Sequence, residues 1–215
     1  MTKRLVHTQL GMLLACACLA PASIAEVAPA VDPATKAGAP AVIGRFNEML
    51  LDLMQRADEL GYRGRFELVD RSVAETFDIS FMAAKSIGSY WRKLDDEKKA
   101  HWVRTFSDFT VSTYADRFDG YSGQSFAIVG EKPASHDTLV ILTRLVRPDK
   151  DDVDLDYRMR EGDEGWRVVD IYSDGKVSEV ALRRSEYAAV LKQGGIDKLI
   201  DAVSKKTAKR AAKHS

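Results

Sequence analysis

Between Val153 and Arg160 apolar and charged residues alternate: Val153, Leu155, Tyr157 and Met159 against Asp154, Asp156, Arg158 and Arg160. A period of two places the apolar side chains on one face of an extended strand and the charged ones on the other. A sheet made of such strands keeps one face in water, and its apolar face needs a cover. The rest of the chain must supply that cover.

The same period holds on both sides of this strand. After Asp119-Gly120 it runs through residues 124–131 and then through the β-branched segment 138–146, which Pro148 closes. Residues 161–165 form a Gly-rich turn, and 166–172 supply a fourth strand, so the last two strands read as a hairpin. Connections this short predict an antiparallel four-stranded meander.

Upstream of Asp119 the period is helical. Val42, Phe46, Met49, Leu50, Leu53, Met54 and Ala57 share one helix face over residues 41–60, with Gly61 as the stop. Phe66, Val69, Val73 and Phe77 repeat at the same spacing. Asp78 stands where an N-cap belongs for a helix ending at Gly88, and Asp95 or Asp96 for a long one carrying Trp102, Phe106 and Phe109. After the sheet, Val180, Tyr187 and Leu191 precede a Gly194-Gly195 stop and a last short helix, beyond which the basic residues after Ser204 are expected to fray. Helices, meander, helices is an α+β order: a four-stranded curved antiparallel sheet covered by N- and C-terminal helices. Periodicity does not tell a filled core from a hollow one.

The N-terminus reads as an export signal: Lys3 and Arg4, an apolar run from Leu10 to Ala20, and Ser23-Ile24-Ala25 as the cleavage site. The run is about half of the roughly 20 apolar residues that a membrane-spanning helix needs. The expected organisation is a signal peptide at 1–25, a flexible leader at 26–40, one domain at 41–204 and a basic tail at 205–215. Cys16 and Cys18 both fall in the signal, so the exported chain would hold no thiol. Formal charge is zero over the full sequence and slightly acidic once Lys3 and Arg4 are removed, which speaks against a nucleic-acid partner.

Few residues invite chemistry. The run Asp149, Asp151, Asp152, Asp154 and Asp156 suggests a calcium loop begun at Asp152, but Tyr157 stands where the glycine is required and Asp163 where the bidentate glutamate is. Asp154 and Asp156 are explained as the solvent-facing half of an alternating strand. His101, His136 and His214 have no ligand spacing, and no Gly-x-Ser-x-Gly elbow is present. Asp170, among Val168, Val169 and Ile171, is the one carboxylate whose setting suggests a raised pKa; pairing with Arg158 or Arg160 is the structural alternative. The tail Lys205, Lys206, Lys209, Arg210 and Lys213 is either solvated or drawn to an anionic lipid surface.

Several stretches together resemble one family. Tyr90-Trp91-Arg92 before Leu94-Asp95-Asp96-Glu97 is similar to the helix opening of MlaC (toluene-tolerance) proteins, with Leu-Asp-Asp in place of their Ser/Thr-Pro. Phe106 to Tyr114 resembles their long-helix run, and Tyr121-Ser-Gly-Gln124 the turn into the sheet. Val153-Asp-Leu-Asp-Tyr-Arg-Met-Arg160 followed by Gly165-Trp-Arg-Val-Val-Asp-Ile171 resembles the family hairpin, and Arg184-Ser-Glu-Tyr187 with Gly194-Gly-Ile-Asp-Lys-Leu199 its closing motifs. The resemblance spans residues 42–203. Arg117 to Gly123, Asp174 to Glu179 and Arg183 to Glu186 look most like the hopanoid-associated branch, HpnM.

The resemblance implies a periplasmic, non-enzymatic shuttle without cofactor or metal, acting as a monomer. Its cargo would be a phospholipid or hopanoid; its partners an inner-membrane ABC-type complex with an MCE-domain subunit and an outer-membrane lipoprotein complex. It also implies an apolar cavity between sheet and helices. On that expectation the tails lie against Leu139, Ile141, Tyr157, Met159, Val169 and Ile171 from the sheet and Phe81, Phe106, Phe109 and Thr110 from the helices. Which parity of the second and fourth strands faces inward stays open, because both are largely apolar. Ile141→Arg or Met159→Glu is then expected to abolish lipid carriage in a folded protein. Two other classes stay open: an enzyme on the same scaffold with Asp170 as general base, and a membrane-associated adaptor with a filled core.

Overall fold

The computed structural model describes residues 37–214. The expected signal at 1–25 and residues 26–36 of the expected leader lie outside the described residues.

Helix α1 (Ala39–Gln55) opens with Pro40 in its first turn, where a missing N–H costs nothing. It buries Val42, Ile43, Phe46, Leu50 and Leu53. Where the sequence pattern predicts one helix through Leu60, the chain turns at Arg56 and resumes as α2 (Ala57–Thr76). Gly61 breaks α2 with φ 55°, a region glycine enters without a Cβ clash. Buried Arg65 donates from Nε to the Ala115 carbonyl (3.0 Å) and from Nη1 to that of Ala57 (2.9 Å), fastening the broken helix to its neighbour.

Helix α3 (Ile79–Ile87) is capped by Asp78, whose carboxylate accepts from the Phe81 N–H at 2.9 Å, and it ends at Gly88, φ 57°. A 3-10 segment (Gly88–Lys93) leads to α4 (Asp96–Arg117), capped by Asp95 through the Lys98 N–H at 2.8 Å. Trp102 on α4 is fully buried, with its indole N–H donating to the Ala83 carbonyl at 2.9 Å. Each cap satisfies a backbone donor that a helix start leaves open.

The sheet runs β1 (Ser125–Ala134), β2 (Thr138–Val146), β3 (Val153–Gly162) and β4 (Gly165–Ser173), antiparallel and in sequence order. To the four strands expected, the structure adds a two-residue β5 (Val177–Ser178) on the β4 edge, too short for a period to register. Two irregularities curl the sheet, since a bulge bends its strand and increases the local twist. One lies between Ile128 and Gly130 of β1; the other lies between Arg158 and Met159, whose partners are Asp170 and Val168, leaving Val169 as the extra residue on β4.

That second bulge answers the parity question. Val168 joins Met159, Ile141 and Tyr157 in the core cluster, and Ile171 packs against it, whereas Val169 is buried outside it. Strict alternation would have put Val169 and Ile171 on the same face.

Helix α5 (Glu179–Lys213) breaks at Gly194 and Gly195 as the sequence predicts. It does not fray after Ser204. Its second half buries Ile196, Leu199, Ile200 and Val203, and its end is held: Lys213 Nζ and His214 Nε2 reach Asp116 at 3.0 and 2.8 Å, and the His214 ring stacks on Tyr62.

The salted face of β3 is not fully in water. Asp156 is 6% exposed, under the turn at Gly175, and accepts from the Thr143 N–H at 3.2 Å. Burial raises its pKa, so the folded state holds that proton more tightly than the unfolded chain. Its contribution is therefore most favourable at acid pH and falls as pH rises from the ordinary carboxylate range through the raised value. Asp156→Asn keeps the acceptor and is expected to raise the melting temperature at pH 7, with the difference shrinking as the pH drops below the carboxylate range. A thermal-melt series against pH checks this.

Candidate functional site

A cavity of about 480 Å³ opens at one end of the fold, within the ~300–1,000 Å³ typical of small-molecule sites. Its helical wall is formed by Met54 of α1, Met82 of α3, Phe106, Phe109, Thr110 and Tyr114 of α4, and Val180 of α5. Its sheet wall is Leu145 of β2, Val153 and Leu155 of β3, and Ile171 of β4. The walls are mainly hydrocarbon and aromatic, with Thr110, Thr113, Ser173 and the paired Glu179 and Arg183 among them. The opening is charged: exposed Arg117, Asp119, Asp149 and Lys150 border it, with Arg147 and Arg183 beside them.

The cavity's position follows from the register. Leu145 lies opposite Val153, and Leu155 opposite Ser173, so the sheet wall is the end of the meander nearest the β2–β3 turn. The apolar face chosen from periodicity is the face that carries the cavity.

Of the ten residues expected to hold tails, Phe106, Phe109, Thr110 and Ile171 line this space. Ile141, Tyr157 and Met159 share the inward face, but each is 0% exposed and none lines the cavity; they fill the core at the middle of the sheet. Phe46 packs edge-on to Tyr157 and Tyr114 there, at 6.0 and 5.3 Å. Leu139 packs against the same core, and Val169 lies outside it. Phe81 sits near the α3 cap instead, with the Arg160 guanidinium 4.4 Å from its ring centre and Arg160 bonded to Asp78 at 2.8 Å. Leu155 and Val153 were within reach of the sequence reading, since they share the parity of Tyr157 and Met159.

Two cations hold the wall residue Phe109. The guanidinium groups of Arg210 and Arg183 lie 4.4 and 5.1 Å from its ring centre, an arrangement favoured by the ring quadrupole. Arg210 also donates to the Ser112 hydroxyl at 3.0 Å, and Arg183 is paired with Glu179 and Glu186 at 3.1 and 2.8 Å. Burial lowers the Arg210 pKa from its usual value. The basic C-terminal segment thus buttresses the cavity wall.

Asp170 does not line the cavity. Its carboxylate accepts from the Ser178 hydroxyl (2.6 Å) and from the backbone N–H groups of Val180 (3.1 Å) and Ile171 (2.8 Å), so it pins the start of α5 to β4. Neither expected arginine partner is used: Arg158 bonds Thr138 and Ser135, and Arg160 bonds Asp78. Much of the rest of the aspartate run is likewise engaged by its neighbours, Asp149 excepted. Asp154 pairs with Arg144 at 2.9 Å, Asp152 accepts from the Arg147 N–H, and the Asp151 carbonyl accepts from the Arg147 side chain.

A curled antiparallel sheet closed by helices over a largely apolar, charge-rimmed cavity defines a pocket-bearing protein of the α+β class. The family model described as MlaC protein matches residues 45–205, and the chain belongs to the MlaC family. Among solved structures it is similar to the phospholipid-binding protein from Ralstonia solanacearum, solved in complex with a phospholipid. The TM-score is 0.72 and the identity 22%, over 81% of this chain and 99% of that one. At that identity the likeness shows the fold. No curated protein matches the chain.

Proposed function

We propose that the protein is a periplasmic lipid carrier, taking phospholipid tails into the cavity between Phe109 and Leu155 and performing no covalent chemistry. The observation that carries this reading is the cavity itself, mainly apolar on both walls with its unpaired charges at the opening, in a chain of the MlaC family. Exposing acyl chain to water costs about 0.8 kcal/mol per methylene. A two-tailed lipid therefore needs an enclosed hydrocarbon surface to cross an aqueous gap. Exchange between bilayer and such a cavity is nearly balanced, which suits a reversible carrier.

Phospholipid is favoured over hopanoid as cargo because the related Ralstonia fold holds a phospholipid. Export by the N-terminal signal, exchange with an inner-membrane ABC-type complex bearing an MCE-domain subunit, delivery to an outer-membrane lipoprotein complex, and action as a monomer belong to the same proposal. Placement of Asp170 outside the cavity, with its oxygens engaged by the α5 start, argues against a catalytic base there.

Native mass spectrometry on residues 26–215, purified from the periplasm without detergent, is expected to show a stoichiometric phospholipid adduct. A clean apoprotein that also takes no lipid from vesicles would end the carrier reading.

A further inference from the structure

The charges at the cavity opening fall into two groups. Arg183 is closed on Glu179 and Glu186, and Arg147 is bound to the Asp151 carbonyl. Arg117, Asp119, Asp149 and Lys150 also line the cavity, but none of the four makes a side-chain hydrogen bond or ion pair among the described residues. All four are exposed. Arg117 ends α4 and Asp119 follows two residues later; Asp149 and Lys150 are adjacent in the β2–β3 turn. Two segments from different parts of the chain thus each bring one free cation and one free carboxylate to a single opening.

This pattern has a chemical complement. Elsewhere on the surface some opposite charges are paired locally, as Arg56 with Asp52 and Glu59, and Arg63 with Glu67, while others, such as Arg45 and Glu48, make no side-chain bond among the described residues; the four at the opening differ in lying over an apolar cavity. At the opening they are left apart, and the apolar walls just inside take hydrocarbon. A ligand whose hydrocarbon ends in a phosphate and an ammonium group would meet both cations and both carboxylates as its tails go in.

Building on the carrier reading, we propose that Arg117, Lys150, Asp119 and Asp149 form a head-group collar selecting zwitterionic phospholipids of the phosphoethanolamine class. Arg117 and Lys150 receive the phosphate, and Asp119 and Asp149 receive the ammonium. The two carboxylates also disfavour a head group whose only charge is negative, and an uncharged head group leaves all four unsatisfied. Because the collar is exposed, its contribution is modest and selects among lipids that the cavity binds through their tails.

The test uses delipidated exported protein and three ligands with identical acyl chains: phosphatidylethanolamine, phosphatidylglycerol and diacylglycerol. Phosphatidylethanolamine is expected to bind about tenfold more tightly than the other two, the order that a few exposed ion pairs supply, with the preference shrinking as salt is raised. Arg117→Gln with Lys150→Gln is expected to bring phosphatidylethanolamine down to the diacylglycerol level. Asp119→Asn with Asp149→Asn is expected to lift phosphatidylglycerol to the phosphatidylethanolamine level. Melting temperatures of both double variants should match the parent, since these side chains are bonded to nothing in the fold. Equal binding of the three lipids by the parent overturns the collar and leaves the carrier standing. Binding of none of them overturns the carrier, and the collar with it. Soluble phosphoethanolamine binding as tightly as the whole lipid would make the opening a free-metabolite site and also overturn the proposal.

Discussion

Leu155→Glu is expected to empty the cavity while leaving the protein folded. Leu155 lines the sheet wall, is partly exposed, and lies on β3 opposite Ser173 near the opening, so a glutamate there reaches water when no ligand is present. With tails in place the same carboxylate would be stripped of water against hydrocarbon. An unpaired charge so placed costs several kcal/mol, and each 1.4 kcal/mol is a factor of ten in affinity. Phospholipid affinity should therefore fall by about a hundredfold or more, with an unchanged far-UV spectrum and a melting temperature within a few degrees of the parent. Lipid extraction and vesicle-transfer assays on the purified variant read the loss directly. A folded Leu155→Glu protein that still co-purifies with a full complement of lipid would put the tails elsewhere.

Met159→Glu, two places along the same face of the same strand, is expected to do the opposite and abolish folding. Met159 is 0% exposed, lies opposite Leu139 and Val168, and does not line the cavity. A carboxylate there finds neither water nor a partner. The cost of several kcal/mol approaches the whole ~5–15 kcal/mol that holds a domain of this kind together. The variant should be recovered as an unfolded or aggregated chain with no cooperative melt, whereas Met159→Leu, which keeps volume and polarity, should stay within about 1.5 kcal/mol of the parent. The same reasoning applies to Ile141→Arg. Failure to carry lipid in either charged variant would report on the core and not on the cavity. The contrast between positions 155 and 159 marks where the solid part of the interior ends and the hollow part begins.

Part of this was legible in the chain. The alternation in β3 fixes which four of its side chains face the helices, because the pleat has a period of two whatever the neighbours do. The bounds of β2, the caps at Asp78 and at Asp95 or Asp96 and the break at Gly194-Gly195 follow from equally local rules, and the structure has each of them, with Asp95 as the second cap. Tertiary packing decided the rest. The bulge at Val169 depends on how β4 meets β3, so no count along β4 alone shows that Val168 and not Val169 faces the core. Asp156 reads as solvent-facing until the Gly175 turn folds over it, and the tail reads as frayed until Arg210 meets Phe109 and His214 meets Tyr62. Asp170 reads as a lone carboxylate among aliphatics until the start of α5 docks on it.

Above all, hydrophobic periodicity names a face but not a position along it. Leu155 and Met159 have the same parity and the same chemistry, yet one lines an open space and the other is locked in aromatic and aliphatic packing. The sequence by itself determined the order of elements, the inward face of β3 and the family. Where the helices stand off from that face, and so where a ligand fits, was decided by the bulged sheet, the kinked helices and the clamp of α5 on α4. The glycine kinks are local, but the clamp joins residues 98 positions apart and the bulge depends on how two strands meet, and such contacts leave no local trace in the chain.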